Sequence, residues 1–368
     1  MIVGFGGNSI SFFVYLRKYK PSTYRNFVVS LAIVDLATCC VPMPFVLVTL
    51  RYPITFHNSA ECRILQFVTY VTCIGSALIL ITIAAERYRM ICVPHGVQLS
   101  EHMSKYICVV DVMLGIVFSW PAAVLYGNRT FETGVDQIVG TECNVSDEFA
   151  NTKYPVYFNA FLLFIFFLSL IALSVLYALI GKQIRRIRKR ICYQYKPKSS
   201  GRYMVLKTET NVDASSQYSK NESTGSEISN VSAISIDENG QEQHSVENKS
   251  KHIVLSEGEN HKKGMKSQEK KTIAVTRVVF IITVVFFCSF FPHLALRAAA
   301  FLNKNFVDSL SFSERSAYQT FRWTFFINNM ANPIIYGLFD KKFMQEIRLL
   351  YRSCLAICME KNQTRDRG

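Results

Sequence analysis

The sequence predicts an all-α membrane protein: a bundle of seven transmembrane helices, a short amphipathic eighth helix, and a long disordered loop on the cytoplasmic side. Three observations carry this. Half of the 368 residues are apolar and only 18% are charged, with 28 Phe and 18 Tyr, a balance that suits lipid. Seven apolar runs recur, and six of them reach the roughly 20 residues that a spanning helix needs. The basic residues behind the net charge of +14 cluster beside those runs, in "LRKYK", "GKQIRRIRKR" and "DKKFMQEIRLLYR", as cytoplasmic flanks do. The expected partner of that charge is therefore the lipid bilayer and not nucleic acid.

The first run, Met1–Leu16, is short, and no small-residue cleavage site precedes the basic "LRKYK". It reads as a spanning helix truncated at its outer end, with an extracellular tail missing. Phe27–Leu50, Ile64–Ile91, Ile107–Tyr126 and Val156–Ile180 complete five spans within residues 1–192. From 193 to 263 Ser, Asn, Glu, Lys and Gly dominate, with too little apolar surface to offset chain entropy, so disorder is expected. Residues 264–338 hold spans six and seven, Ile273–Phe301 and Ala317–Leu338. Over residues 339–353 Phe343, Ile347 and Leu350 recur at helical spacing among Lys341, Lys342, Arg348 and Arg352. That pattern predicts a helix lying on the inner leaflet, anchored by acylation of Cys354 or Cys358, with 354–368 as a cytoplasmic tail.

Orientation follows from Lys and Arg in the connections. The loop "LRKYKPSTYR" carries four basic residues and no acidic one, whereas Gly127–Pro155 carries two basic and five acidic. The amino terminus is thus expected outside and the carboxyl terminus inside, in the plasma membrane. Of eleven cysteines only Cys62, at the outer entry of span three, and Cys143 fall where oxidation is expected, which predicts one disulfide. Asn128 and Asn144 open glycosylation sequons in the same outer loop. No enzyme motif is present.

Charge also ends the third span. Cys62 and Arg87 are 25 residues apart, about 37 Å of helix, enough to cross the hydrocarbon core. Glu86, Arg87 and Tyr88 therefore belong at the inner surface. Asp35 lies inside span two, Ser76 about three turns before Arg87, and Asn328, Asn329 and Asn332 surround Pro333 in span seven. Polar groups at such depth point into the bundle, and a carboxylate among hydroxyl and amide oxygens can hold a small hard cation.

At this point the chain resembles the rhodopsin-like (class A) G-protein-coupled receptors over all seven spans. The matches are Asn8, Asp35, Cys62, "ERY" 86–88, Trp120, Cys143, Tyr177, Pro292, "NPIIY" 332–336 and Phe343. The resemblance implies that Arg87, Tyr177 and Tyr336 rearrange on activation. It also implies switch positions at Glu86, Tyr88, Phe286, Phe290, Pro292, Asn332 and Pro333. It implies an allosteric Na⁺ site at Asp35, Ser76, Asn328 and Asn332 with no other cofactor. The implied partners are an extracellular ligand, a heterotrimeric G protein, receptor kinases and arrestin. Departures are Phe290 where a Trp is usual, Ser169 where span five usually has a proline, and Thr272 where many relatives carry an acidic partner for Arg87.

Amine receptors resemble one another in an Asp where this chain has Thr69, and opsins in a lysine where it has Phe326; both readings fall. What remains is Gln66, Thr69, Tyr70 and Cys73 on span three, His293 and Arg297 on span six, and Arg322 and Phe326 on span seven. They predict a wide, aromatic, basic-tinged, peptide-receptor-like pocket, with a lipid or other small molecule as the alternative ligand. Outward snorkelling of Arg297 and Arg322 is the competing structural reading. A secondary transporter, or a membrane protein without signalling, is the other class of reading; the expected repeat symmetry of a transporter is not visible.

Overall fold

The computed structural model describes residues 1–52, 55–132, 139–194, 246–302, 306 and 310–365; side chains at 132, 190–194, 246–271, 301, 312, 315 and 354–365 fall outside the description. In chain order the helices are α1 (Ile2–Lys18), α2 (Thr23–Cys40), α3 (Pro42–Arg51), α4 (Ser59–Cys92), α5 (Glu101–Leu125), the one-turn α6 (Asp147–Ala150), α7 (Tyr154–Gln194), α8 (Val246–Leu302), α9 (Phe312–Arg322), α10 (Ile327–Phe339) and α11 (Lys341–Arg365). Between α5 and α6 lies an antiparallel hairpin of β1 (Tyr126–Glu132) and β2 (Val139–Val145). Two compact units emerge, Met1–Arg188 with Glu269–Gly368, and Lys189–Gln268. The first holds the apolar helices.

Helix starts follow local chemistry. Ser22, Asn58 and Ser100 accept hydrogen bonds from the backbone N–H groups of Arg25 (3.3 Å), Glu61 (3.2 Å) and Met103 (3.2 Å), capping α2, α4 and α5. At α9 Ser311 and Glu314 form a reciprocal capping box, and these hydrogen bonds hold the Glu314 carboxyl below its ordinary pKa.

Among the described residues five stretches are long and apolar enough to cross a membrane: Thr23–Arg51, Ser59–Cys92, Glu101–Leu125, Tyr154–Lys189 and Thr272–Ala300. The other two expected spans fall short for physical reasons. Helix α1 has 17 residues, and span seven is divided into α9, a 3₁₀ turn at Thr324–Phe326, and α10. Span two is also bent where Pro42 separates α2 from α3, because a proline has no N–H to continue the ladder. Span five shows no break: Ser169, in place of a proline, donates to the carbonyl of Ile165 (2.7 Å) within one continuous α7.

Most of the segment 193–263 lies outside the described residues; the backbone of α8 is helical from Val246. Glu, Lys, Gln and Met are strong helix formers, and extending an existing helix avoids the cost of nucleation. Likewise α11 runs to Arg365, beyond the expected 339–353. Trp120 is 62% exposed, beside Pro121 at the outer end of α5. The stripe Ser104, Cys108, Asp111, Gly115, Ser119 and Ala122 is the buried face of that helix. Gly115 sets its approach to α4: a Cβ there would meet Val71 O at 3.0 Å and Gly75 N at 3.2 Å.

A comparable close approach joins α1 to α10. Proline at 333 cannot donate to the carbonyl of Asn329, four residues back. Asn8, fully buried, donates to that carbonyl at 2.7 Å and to Gly4 O at 2.9 Å. Gly7 makes room, since a Cβ there would sit 2.8 Å from Pro333 Cβ.

Candidate functional site

The outer half of the bundle encloses a cavity of about 330 Å³, in the range of ligand pockets. Gln66, Thr69, Tyr70, Cys73, His293, Arg297 and Arg322 line it as the sequence predicts. Phe326 does not. The tighter 3₁₀ turn rotates span seven so that Phe325 lines the cavity, while Phe326 stacks on Trp323 with centroids 6.0 Å apart. Arg297 reaches inward rather than snorkelling: its Nη2 donates to the Tyr126 hydroxyl (2.8 Å) and to Asn159 Oδ1 (2.9 Å). Tyr126, from the start of β1, also hydrogen-bonds Tyr70 of α4 (2.7 Å). His293 Nδ1 lies 2.6 Å from the carbonyl oxygen of Arg322, which can only accept, so that nitrogen carries the proton. The Arg322 guanidinium lies over the Trp323 ring, 5.1 Å from its centroid. No Asp or Glu lines the cavity among the described residues. Thr69 donates to its own helix at Leu65 O (2.7 Å).

A disulfide between Cys62 and Cys143, Cα atoms 5.5 Å apart, ties β2 to the top of α4 and fixes the hairpin over this cavity. The hairpin was not legible as strands in the sequence, because its ladder is short and its partners are half-exposed. Asn128 lies in β1, its amide donating to His57 O, and Asn144 lies in β2, bonded to Glu142 Oε1 (2.9 Å).

At the inner end Arg87 and Glu86 are buried, 3% and 5% exposed, and paired with each other. The pair reaches beyond its own helix: Glu86 Oε1 also accepts from Thr23 Oγ1 of α2 (2.7 Å), and the Arg87 guanidinium lies 5.8 Å from the centre of the Tyr24 ring. Spans two and three are thus joined. Tyr88 and Thr272 are half-buried. Tyr177 of α7 hydrogen-bonds Thr283 of α8 (3.0 Å) and packs edge-on to Phe280. Above them Phe286 and Phe290 stack at 4.5 Å, and Phe290 touches Phe325, an aromatic relay that contains no indole. Pro292 sits within α8 and Pro333 within α10, beside the buried Tyr336.

Comparison with known proteins adds the decisive observation. The family model for the 7 transmembrane receptor (rhodopsin family) matches residues 7–336. This chain belongs to that family. The receptor is 24% identical over 369 residues to the 5-hydroxytryptamine receptor 2B of Dichotomyctere fluviatilis, covering 92% of this chain and 71% of that one. It is 23% identical over 355 residues to neuromedin-U receptor 1 of Rattus norvegicus, covering 94% and 70%. It is 24% identical over 181 residues to the neuropeptide S receptor of Homo sapiens, covering 48% and 46%, so that match spans about half of each protein. Membership makes the chain a membrane receptor with seven spanning helices, and not an enzyme.

Within the receptor the deep polar residues can be tested for a cation. Asp35 is fully buried, and its Oδ2 accepts from Asn332 Nδ2 at 2.6 Å. Asp35 Oδ1, Asn328 Oδ1 and Asn332 Oδ1 are buried without a hydrogen-bond partner among the described residues. Ser76 and Asn328 line a small void of about 10 Å³ with Thr38, Thr72 and Asn329. Asp35 and Asn332 are not among the residues that line that void; oxygens of this kind are the donors a hard cation such as Na⁺ takes. The side chains of Cys354 and Cys358 lie outside the described residues. Sequence reasoning missed Asn159 and Phe325 in the cavity lining, Tyr126 behind Tyr70 and Arg297, and Thr23 and Tyr24 at the inner face.

Proposed function

We propose that the receptor sits in the plasma membrane with its amino terminus outside, binds an extracellular peptide in the outer cavity, and activates a heterotrimeric G protein by opening the inner face of the bundle. The observation that carries the ligand reading is the lining: Arg297 and Arg322 face a cavity with no carboxylate among its described residues. A cavity of that sign disfavours an ammonium ligand and suits a carboxylate or carbonyl-rich peptide end, which Arg grips bidentately. Similarity to neuropeptide S, neuromedin-U and growth hormone secretagogue receptors supports a peptide. The match to a 5-hydroxytryptamine receptor does not carry the opposite reading, because Thr69 cannot hold an amine as a carboxylate would.

The mechanism runs through the Arg297–Tyr126–Tyr70 chain, which joins spans six and three across the cavity mouth. A ligand carboxylate takes over Arg297 donors and frees Tyr126, so α8 can pivot at Pro292. Inward, the pivot strains the Tyr177–Thr283 bond and the Phe286–Phe290 stack, and releases Arg87 to a G protein. Na⁺ held by Asp35, Ser76, Asn328 and Asn332 stabilises whichever conformation binds it better. The same family reading brings receptor kinases and arrestin to the inner face.

The apolar floor of the cavity (Ile74, Leu78, Leu163, Phe166) favours one second reading, a lipid acid. Screening peptide libraries in free-acid and amide form, beside long-chain fatty acids, decides between them. Peptides that activate the wild type and lose at least tenfold potency on Arg297→Ala support the proposal. Activation by fatty acids alone rejects the peptide, and unchanged potency on Arg297→Ala rejects the charge argument.

A further inference from the structure

The inner ends of α1, α2, α10 and α11 meet in a cluster that packs against the family positions Tyr336 and Phe343 and takes no part in the outer cavity. Its centre is Asp340, the single residue between α10 and α11. Asp340 Oδ1 accepts from the backbone N–H groups of Lys342 (3.0 Å) and Phe343 (3.2 Å), so it caps α11. Its Oδ2 accepts from the hydroxyls of Tyr15 and Tyr19 of span one, both at 2.9 Å. Tyr15 is fully buried, and its hydroxyl also lies 3.4 Å from that of Tyr24.

Proton counting gives this chain a direction. Each hydroxyl has one proton. Tyr15 spends its proton on the carboxylate, so between the two tyrosines Tyr24 donates and Tyr15 accepts. The Tyr24 phenol is therefore polarised toward an anion, and hydrogen bonds in such a chain reinforce one another. The Tyr24 ring is the one that the Arg87 guanidinium faces, and the neighbouring Thr23 holds Glu86. Aromatic contacts back the hydrogen bonds: Tyr15 stacks on Phe343 of α11 at 5.4 Å and meets Tyr336 edge-on at 5.4 Å.

We propose that Asp340 is a positioning residue for Arg87, acting through Tyr15 and Tyr24, so that docking of α11 on span one and retention of the Arg87 side chain are one coupled event. When Arg87 leaves Tyr24, the tyrosine pair loses its orientation and α11 loosens. When α11 is displaced, the ring under Arg87 is no longer fixed. The coupling gives a partner that seats on α11 access to the Arg87 latch without touching it.

The effect on signalling rests on the G-protein activation proposed above; the coupling itself does not. The test is a double-mutant cycle on the full-length receptor with two readouts, basal GDP–GTP exchange and the thermal midpoint in detergent. Tyr24→Phe keeps the ring and removes the hydroxyl; Glu86→Gln weakens the latch. Tyr24→Phe is expected to raise basal exchange roughly threefold, near the low end for one lost hydrogen bond. In the Glu86→Gln background the same change is expected to do almost nothing. Asp340→Asn, which retains an oxygen to cap α11, is expected to mimic Tyr24→Phe. Factors that multiply across the cycle, or wild-type exchange in Asp340→Asn, overturn the proposal. Should the wild type drive no exchange at all, the G-protein reading fails and the thermal midpoints decide the coupling. Non-additive shifts then uphold it, and additive shifts reject it.

Discussion

Asn8 is expected to matter only because residue 333 is a proline. Its amide donates to Asn329 O, the carbonyl that Pro333 leaves without an N–H four residues on. Asn8→Ala strands that carbonyl in the bundle interior, where an unsatisfied buried acceptor costs about 1–3 kcal/mol. Hydrogen bonds between membrane helices average nearer 0.6 kcal/mol and reach about 1.7. A loss of about 1–2 kcal/mol is therefore expected, because Asn8 is fully buried and its 2.7 Å bond is short. At roughly 2–4 °C per kcal/mol, the thermal midpoint of the purified receptor should fall by about 2–8 °C. Pro333→Ala restores the missing N–H, so Asn8→Ala should cost at least about 1 kcal/mol less in that background. Equal shifts in both backgrounds would refute the reasoning, since Asn8 would then be stabilising something other than the broken ladder.

Other consequences are equally direct. Cys62→Ser frees the hairpin from α4 and should lower stability by about 2–4 kcal/mol, read as a lower thermal midpoint with impaired ligand binding. Gly115→Leu drives a side chain against the Val71 carbonyl and the Gly75 backbone, which cannot yield, so correctly folded receptor at the cell surface should drop sharply. Asp35→Asn should abolish most of the Na⁺ sensitivity of agonist affinity; unaltered sensitivity would remove the cation site. Thr23→Val deletes the bond that fastens Glu86 to span two and should raise ligand-free exchange by roughly two- to tenfold, as one hydrogen bond allows.

Much of the fold was legible because lipid imposes length, hydrophobicity and charge asymmetry, and those are written directly in residue order. Cys62 and Cys143 were legible for the same reason, once topology placed both outside. The deep polar residues were legible as a set, since Asp35 or Asn332 in a span must face inward. Rotation was not. Phe326 and Phe325 differ by one position, and only the 3₁₀ turn decides which faces the ligand. Contacts such as Glu86 with Thr23, or Arg297 with Tyr126, join residues far apart in sequence, where neither periodicity nor charge pairing gives a signal. The helical start at Val246 was hidden by composition: polar, helix-forming residues carry no apolar period.

The central claim is that a ligand in the outer cavity drives nucleotide exchange on a G protein through movement at Arg87. The measurement that tests it is GDP–GTP exchange by a purified heterotrimer, with the full-length receptor reconstituted in vesicles and challenged with the peptide pools. Exchange stimulated by a peptide, lost in Arg87→Ala and unaccompanied by solute flux across the vesicle wall, is the result expected. Peptide-dependent flux without exchange, or exchange that persists undiminished in Arg87→Ala, would contradict the account.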